Sequence, residues 1–454
     1  MVVKLNNLTN KKILNIFTIC ILFLIPIIEY MSFYMQKYGV INDFTSINVS
    51  IVIWISIPFL VLVYIKDLID KKRKINIYDY IFYVVVIIGI IVSIFSIKPN
   101  ISFVGVPIRR EGFLSILGYY LLFINWKVNG TKDDIKKYIR IFIIIGVLNS
   151  IYAFLQIYTP FNFILRYTDD INMATGLCGN PNFFGTLMVT LLGILSTKFL
   201  INEDINKKDI ILLILFTISL INAQSTGPML TYLVTIIFII ASLKKKNKLA
   251  SEKIIVLILT SILSLLITYS LPVFVSKVNN IIVSQEETKI NLKKERCELC
   301  DLKGTIDSGG NGRLDIWINT LDVVKKYPIL GVGYDNLGFA YPNEEAEVYY
   351  YVTNGTLVKE VKGGDIYVDN AHNVYLHTLA TSGILGLMPL LILLVYIFIH
   401  GLKSNNKLTI ILFGGFIAYS VQAFANISVI EVAPIYYIII GLILSNVNKD
   451  KSLT

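Results

Sequence analysis

The sequence predicts an all-α polytopic membrane protein with about twelve transmembrane helices and one large extracytoplasmic loop that holds an amphipathic helix and a β-hairpin. Three observations predict it. Apolar runs of about 20 residues recur along nearly the whole chain, and at 1.5 Å per helical residue each is enough to cross a hydrocarbon core of about 30 Å. A composition of 55% hydrophobic and 16% charged residues, with a mean hydropathy of +0.67, is too apolar for 454 residues to hide in a soluble core. Finally, basic residues alternate between dense and sparse connecting segments, as they do when loops alternate between the two sides of a bilayer.

The spans fall near 13–35, 47–65, 78–97, 112–126, 138–159, 182–201, 209–223, 228–243, 254–275, 372–399, 408–426 and 431–446. The first is too long for a signal peptide and lacks a small-residue cleavage site, so it reads as a transmembrane helix. With the N-terminus inside, the inner segments collect most of the lysines, including the clusters Lys71 to Lys74 and Lys244 to Lys246. The short outer loops then hold only Lys37, Lys98, Arg109, Arg110 and Arg166. This asymmetry predicts a cell-membrane protein with both termini cytoplasmic. It also explains the formal net charge of +10 as basic loops facing anionic lipid, and excludes nucleic acid as a partner.

The segment 276–371 then lies outside, inserted between the ninth and tenth spans of a single membrane domain, 1–454. A connection of that length is functional or disordered, and its pattern argues for order. Leu314, Trp317, Leu321 and Val324 form a helical stripe over 315–326, which Pro328 brings to an end. Two strand-like runs, 348–353 and 356–361, flank Asn354-Gly355, a type I′ hairpin signal. The stretch 289–312 is charged and glycine-rich, the mobile part of the loop by composition. It carries Cys297 and Cys300, a C-x-x-C pair with no second half of a zinc site, which reads as a disulfide or two inert thiols before a metal.

Chemistry-bearing residues gather at the outer face. His372 lies where the chain returns to the membrane, in Asp369-Asn370-Ala371-His372-Asn373. A cap at Asp369 or Asn370 puts it in the first helical turn, where the positive end of the helix dipole favours a neutral imidazole able to accept a proton. The plainer reading is an interfacial histidine that only hydrogen-bonds. His377 is off that face and reads as structural, and His400 sits at the cytoplasmic end. Arg109, Arg110, Arg166 and Arg313 are basic on the side where basic residues are scarce, and guanidinium groups suit bidentate binding of phosphate oxygens. Snorkelling or pairing with nearby carboxylates is the competing account for each. In 179–185, Asn180 caps a helix with Pro181 at its first position, and Asn182 is placed to donate to a ligand. No P-loop, H-E-x-x-H or dinucleotide fingerprint occurs, so the sequence predicts no cofactor and no metal.

Four blocks in order carry a family resemblance: Arg110-Glu111-Gly112; Gly179 to Gly185; Gly312-Arg313-Leu314-Asp315-Ile316-Trp317 followed by Pro328-Ile329-Leu330-Gly331-Val332-Gly333; and His372-Asn373-Val374-Tyr375-Leu376 followed by Gly383-Ile384-Leu385-Gly386. With them the chain resembles the bacterial O-antigen ligase and polymerase superfamily, the WaaL and Wzy type of membrane glycosyltransferases. The resemblance implies a GT-C-like, metal-independent transferase for surface polysaccharide biosynthesis. Such an enzyme takes a glycan from a polyprenyl-diphosphate-linked oligosaccharide donor and passes it to a glycan, lipid or polymer acceptor hydroxyl. It further implies His372 as general base, Arg313 on the diphosphate, and Arg109, Arg110, Arg166, Asn182 and Asn373 as further substrate-binding residues. One departure stands: the turn Ala223-Gln224-Ser225-Thr226-Gly227-Pro228 lacks the arginine that many relatives carry there, so either another outer arginine such as Arg166 or Arg109 supplies the charge or the donor differs. A twelve-helix secondary transporter is the main rival, and a scaffold or flippase the third reading. Transporters place charged or broken-helix sites near the bilayer midplane, whereas here the nearest spanning charge, Glu29, lies close to the outer end of its helix.

Overall fold

The computed structural model describes residues 2–37, 40, 48–107, 109–158, 173–246, 251–283, 313–341, 347–353, 356–362 and 370–450. A helix occupies each position where a span is expected: α1 (Val2–Lys37), α2 (Ile51–Ile69), α3 (Ile77–Ile94), then after a short α4 (Pro99–Val104), α5 (Phe113–Asn129), α6 (Lys132–Tyr158), α7 (Pro181–Ile201), α8 (Lys207–Asn222), α9 (Thr226–Lys245) and α10 (Ser251–Val283). The loop contributes α11 (Arg313–Lys326), α12 (Leu337–Ala340) and strands β1 (Glu347–Thr353) and β2 (Thr356–Lys362), before α13 (Val374–Lys403), α14 (Lys407–Gln422) and α15 (Ala433–Asp450). Among the described residues, eight helices are long and apolar enough to cross a membrane, and two shorter ones, Lys407–Gln422 and Ala433–Ser445, are also apolar. The chain is therefore a polytopic, all-helical membrane protein outside its loop.

Helix starts follow local chemistry. Asn76, Asn180, Asn206, Asn373 and Asn406 each cap a helix by accepting backbone N–H bonds, and Asn76 forms a reciprocal capping box with Asp79. Inside the bundle α7 is the hub: 94% of its span is buried, against 22–39% for the other seven, whose remaining apolar faces meet lipid. α7 packs along α14 because Gly193 and Gly414 bring the two backbones together, with Thr197 and Ala418 alongside.

The lysine-rich side departs from expectation. Arg73, read as part of a lipid-facing loop, is 5% exposed and turned inward. It pairs with Asp79 at 3.0 Å, lies 4.0 Å from Asp67, and stacks over Tyr64 at 4.1 Å from the ring centroid. Lys127 joins the same Asp79 at 3.3 Å, and Asn129 and Asn10 complete Asp67. Two carboxylates between two cations leave the network close to neutral, which is how charge survives there without water.

The span expected at 372–399 is not one continuous helix. Gly383 has φ +64 and ψ −170, which breaks α13. The loop repairs the break: the N–H groups of Val332 and Gly333 donate to the carbonyls of Ala380 and Thr381 at 3.0 and 2.8 Å. In return the N–H groups of Ile384 and Leu385 donate to Pro328 and Ile329. Backbone groups freed inside a membrane protein must be satisfied by protein, and 328–333 does so like an added strand. Gly383 and Gly331 are required, because a Cβ on either would strike the backbone of the other segment.

In α11 the buried face also differs from the expected stripe. Thr320 and Val323 are buried, whereas Leu314 and Leu321 are 56% and 45% exposed. The helix is rotated so that Trp317 can donate to the Ala371 carbonyl at 2.9 Å and Thr320 can meet the Tyr341 hydroxyl at 2.5 Å. β1 and β2 pair antiparallel from Glu347 opposite Lys362 to Thr353 opposite Thr356. The turn at Asn354-Gly355, the stretch 289–312 with Cys297 and Cys300, and Arg166 lie outside the described residues.

Candidate functional site

The side of the bundle from which the loop projects gathers two adjoining groups of polar residues. The first surrounds the start of α9. Arg313 opens α11, and its Nη1 lies 3.8 Å from the point a Cβ on Gly227 would occupy. The guanidinium forms no ion pair with a described residue, and burial lowers its affinity for its proton from the usual arginine value. One turn further on, the Trp317 bond to Ala371 fixes α11 beside the residue that precedes His372.

His372 itself differs from expectation. Asn373, not Asp369 or Asn370, caps α13, accepting from Tyr375 and Leu376 N–H groups at 3.0 Å each. His372 therefore stands one residue ahead of the cap, with its backbone left-handed at φ +49 and its N–H donating to Asn370 Oδ1 at 3.1 Å. Asn373, expected to bind substrate, is committed to the cap. Asn182 is similarly engaged: it opens α7, and its Oδ1 accepts the Ser225 hydroxyl at 2.6 Å while its carbonyl accepts from Asn426 at 3.0 Å. Asn182 thus ties the starts of α7 and α9 to the segment after α14.

The second group lines a cavity of about 110 Å³ between α3, α5, α13, α14 and α15. Arg109, Glu111, Asp335 and His377 face it, with tyrosines that include Tyr119, Tyr375 and Tyr436. Glu111 accepts from Tyr119 at 2.9 Å and from Ser428 at 3.1 Å. Burial pushes its carboxyl up to about 8, the two hydroxyl bonds opposing this and the nearby Asp335 and Glu431 adding to it. Asp335 anchors the α4–α5 connection by accepting the Val106 N–H at 2.8 Å. The two groups share α13, whose Val374 N–H donates to the Ala423 carbonyl at 2.8 Å, and both residues line the cavity.

Of the residues singled out from sequence, the structure brings Arg313 and Asn182 to the α9 start, and Trp317 of α11 binds the carbonyl of Ala371, the residue before His372. It places Arg109 in the cavity instead. Arg110 folds back on its own turn, with Nε donating to the Pro107 carbonyl at 2.5 Å. Glu111, Asp335, Glu431 and His377 were missed as site residues. Glu111 shares a motif with Arg110 and His377 is five positions beyond His372, so both carry a local signal; Asp335 and Glu431 have none. Among the described residues no group of three or more His, Cys, Asp or Glu side chains is placed to hold a metal ion.

No curated protein matches the chain. Residues 211–391 match the family model described as O-Antigen ligase, a stretch that runs from α8 to the middle of α13 and contains Gly227, Arg313, the 328–333 segment, His372 and Gly383. Over this segment the chain is similar to the O-antigen ligase family.

Proposed function

We propose that this protein moves a glycan from a polyprenyl diphosphate carrier to an acceptor hydroxyl at the outer face of the cell membrane. A membrane glycosyltransferase-like role in surface polysaccharide biosynthesis is supported by the match of residues 211–391 to the O-antigen ligase model. The carrier, the acceptor and the residue roles are the proposal. The observation that carries it is Arg313: a half-buried guanidinium without a carboxylate partner among the described residues, held at the start of α9 and tied through Trp317 to the backbone beside His372.

In this reading the acceptor oxygen attacks the anomeric carbon and the bond from that carbon to the diphosphate oxygen breaks. The electron pair leaves with the polyprenyl diphosphate. His372 takes the acceptor proton, an effect typically worth about 10²- to 10⁴-fold. Arg313 faces the growing negative charge, a stabilisation preorganised before the bond breaks. The polar residues lie at the loop side and not at mid-span, which favours this reading over a transporter.

The test is His372→Asn in the full-length protein, since asparagine tolerates the left-handed backbone that His372 adopts. Transfer from a polyprenyl-diphosphate-linked oligosaccharide should fall at least about 100-fold with insertion unchanged. Retained transfer would remove His372 from the mechanism. His377→Ala serves as the paired variant, because His377 lines the cavity and is the other histidine on this side. Deleting the gene separates two outcomes: loss of long surface chains with single units kept indicates a polymerase, and accumulated lipid-linked long chains indicate a ligase.

A further inference from the structure

We infer that the groove between α1 and α6, at the lysine-rich edge of the bundle, binds one anionic glycerophospholipid, with its phosphate between Lys12 and Lys137 and an acyl chain along Ile16 and Ile19. The inference uses no residue of the transfer reading and stands or falls independently of it.

The sequence prepares one face of α1. Lys12, Asn15, Ile16 and Ile19 follow the i, i+3, i+4, i+7 spacing of a single helical stripe, polar in its first turn and apolar beyond it. Lys12 lies at the edge of the apolar span that begins at Asn10, and Ile19 lies two turns, about 10 Å, further in. The partner helix repeats the pattern. On α6, Lys137 stands near the start of the span, and Ile144, Leu148 and Ile151 continue its face. Ile16, Ile144, Leu148 and Ile151 are exposed, as suits side chains that meet lipid.

Lys11, Lys12, Asn15, Ile16, Ile19 and Lys137 line a groove of about 470 Å³. Bonds across the two helices hold its walls. Lys11 pairs with Asp134 at 2.7 Å and donates to the Thr131 hydroxyl at 3.3 Å. Lys137 donates to Asn15 Oδ1 at 2.7 Å, and the Tyr138 hydroxyl donates to the same oxygen at 3.1 Å. The Asn15 amide is oriented for this because its Nδ2 donates to the Lys11 carbonyl at 2.9 Å. Asp134 therefore takes up the charge of Lys11. Lys12 is exposed, Lys137 is bound to a neutral amide, and neither forms an ion pair with a described residue.

Two cations without a carboxylate thus stand at the mouth of a groove whose floor is apolar. An anionic phospholipid matches both parts: its phosphate accepts from the two ammonium groups, and its chain covers the isoleucines and the lysine stems. A zwitterionic headgroup would bring its own cation to the two lysines. A free phosphate would leave the apolar floor uncovered. The general attraction of basic loops to anionic lipid is diffuse, whereas this geometry predicts one saturable site.

The experiment titrates phosphatidylglycerol and phosphatidylcholine into the detergent-solubilised full-length protein, with bound lipid counted by native mass spectrometry and Tm recorded for each variant. Wild type should bind one phosphatidylglycerol at least about tenfold more tightly than phosphatidylcholine. A lysine near an anionic headgroup contributes about a fivefold factor, so Lys12→Gln/Lys137→Gln should weaken phosphatidylglycerol at least about tenfold and leave phosphatidylcholine unchanged. Lys12→Gln alone changes an exposed side chain, should keep the wild-type Tm, and should weaken phosphatidylglycerol about fivefold. Lys244→Gln/Lys245→Gln removes the same charge from exposed lysines at the end of α9 and should leave the tight site intact. Glycerol 1-phosphate should not displace the lipid. Equal binding of the two lipids by wild type would overturn the site, and so would Lys12→Gln and the double variant both within twofold of wild type. An equal loss in Lys244→Gln/Lys245→Gln would reduce it to diffuse attraction, and displacement by glycerol 1-phosphate would make it a phosphate site without a lipid chain.

Discussion

Four non-glycine residues on the loop side hold left-handed backbone: Arg110, Gln224, Asp335 and His372. Each such residue is unfavourable by about 1 kcal/mol or more and persists only where its surroundings over-determine it. Their neighbours here do so: Ser50 and Ser115 hydroxyls hold the Arg110 carbonyl, the Asp335 carboxylate grips Val106, and Asn370 holds His372. Glu111 stores free energy in another form. Its carboxyl, pushed up to about 8 mainly by burial, is protonated at neutral pH in the folded protein but ionised in the unfolded chain above about 4.5. The folded state then binds more protons between those values, so this group's contribution is full below about 4.5 and is lost as pH rises towards about 8. Glu111→Gln removes that dependence. The difference in Tm between Glu111→Gln and wild type should grow in favour of the variant from pH 5 to pH 8, and a flat difference would mean that Glu111 is not buried in its neutral form.

At the scale of elements, the break in α13 explains why the 328–333 and 383–386 glycine blocks occur together: one supplies backbone groups that the other has left unpaired. Gly383→Ala would place a Cβ against the Ile329 backbone at a φ of +64 that alanine rarely adopts. It should lower stability by about 3 kcal/mol or more and make the loop sensitive to limited proteolysis, whereas Gly227→Ala leaves both unchanged. Both blocks are visible in the sequence, yet their pairing is not, because hydropathy reads 372–399 as one uninterrupted apolar run. The same limit explains α11. Period alone chose the Leu314 stripe, whereas the Trp317 and Thr320 bonds set the rotation. What local pattern does specify came through: the Asn180 cap, the helix at each expected span, and Arg313 at the head of the loop helix. Residues such as Asp335 and Glu431 join the site only through tertiary packing, so no spacing rule marks them.

Across the whole molecule, buried polarity is divided between two ends with different work. The loop side sets carboxyls and tyrosines around a cavity and holds Arg313 half-buried at the start of α9. The lysine-rich side closes its charges on one another, with Arg73 and Lys127 against Asp67 and Asp79, and so joins α1, α2, α3 and α5. The two ends should therefore separate stability from activity. Asp79→Asn leaves the Arg73 and Lys127 cations sharing one carboxylate with little access to water, which in buried networks is unfavourable by about 3–5 kcal/mol. Its Tm should fall clearly, while the molecules that remain folded transfer glycan and bind pyrophosphate at wild-type levels. His372→Asn should show the opposite pattern, with Tm kept and transfer lost. Measuring both quantities in both variants tests the division, because loss of pyrophosphate binding in folded Asp79→Asn protein would show that the two ends are coupled through the bundle.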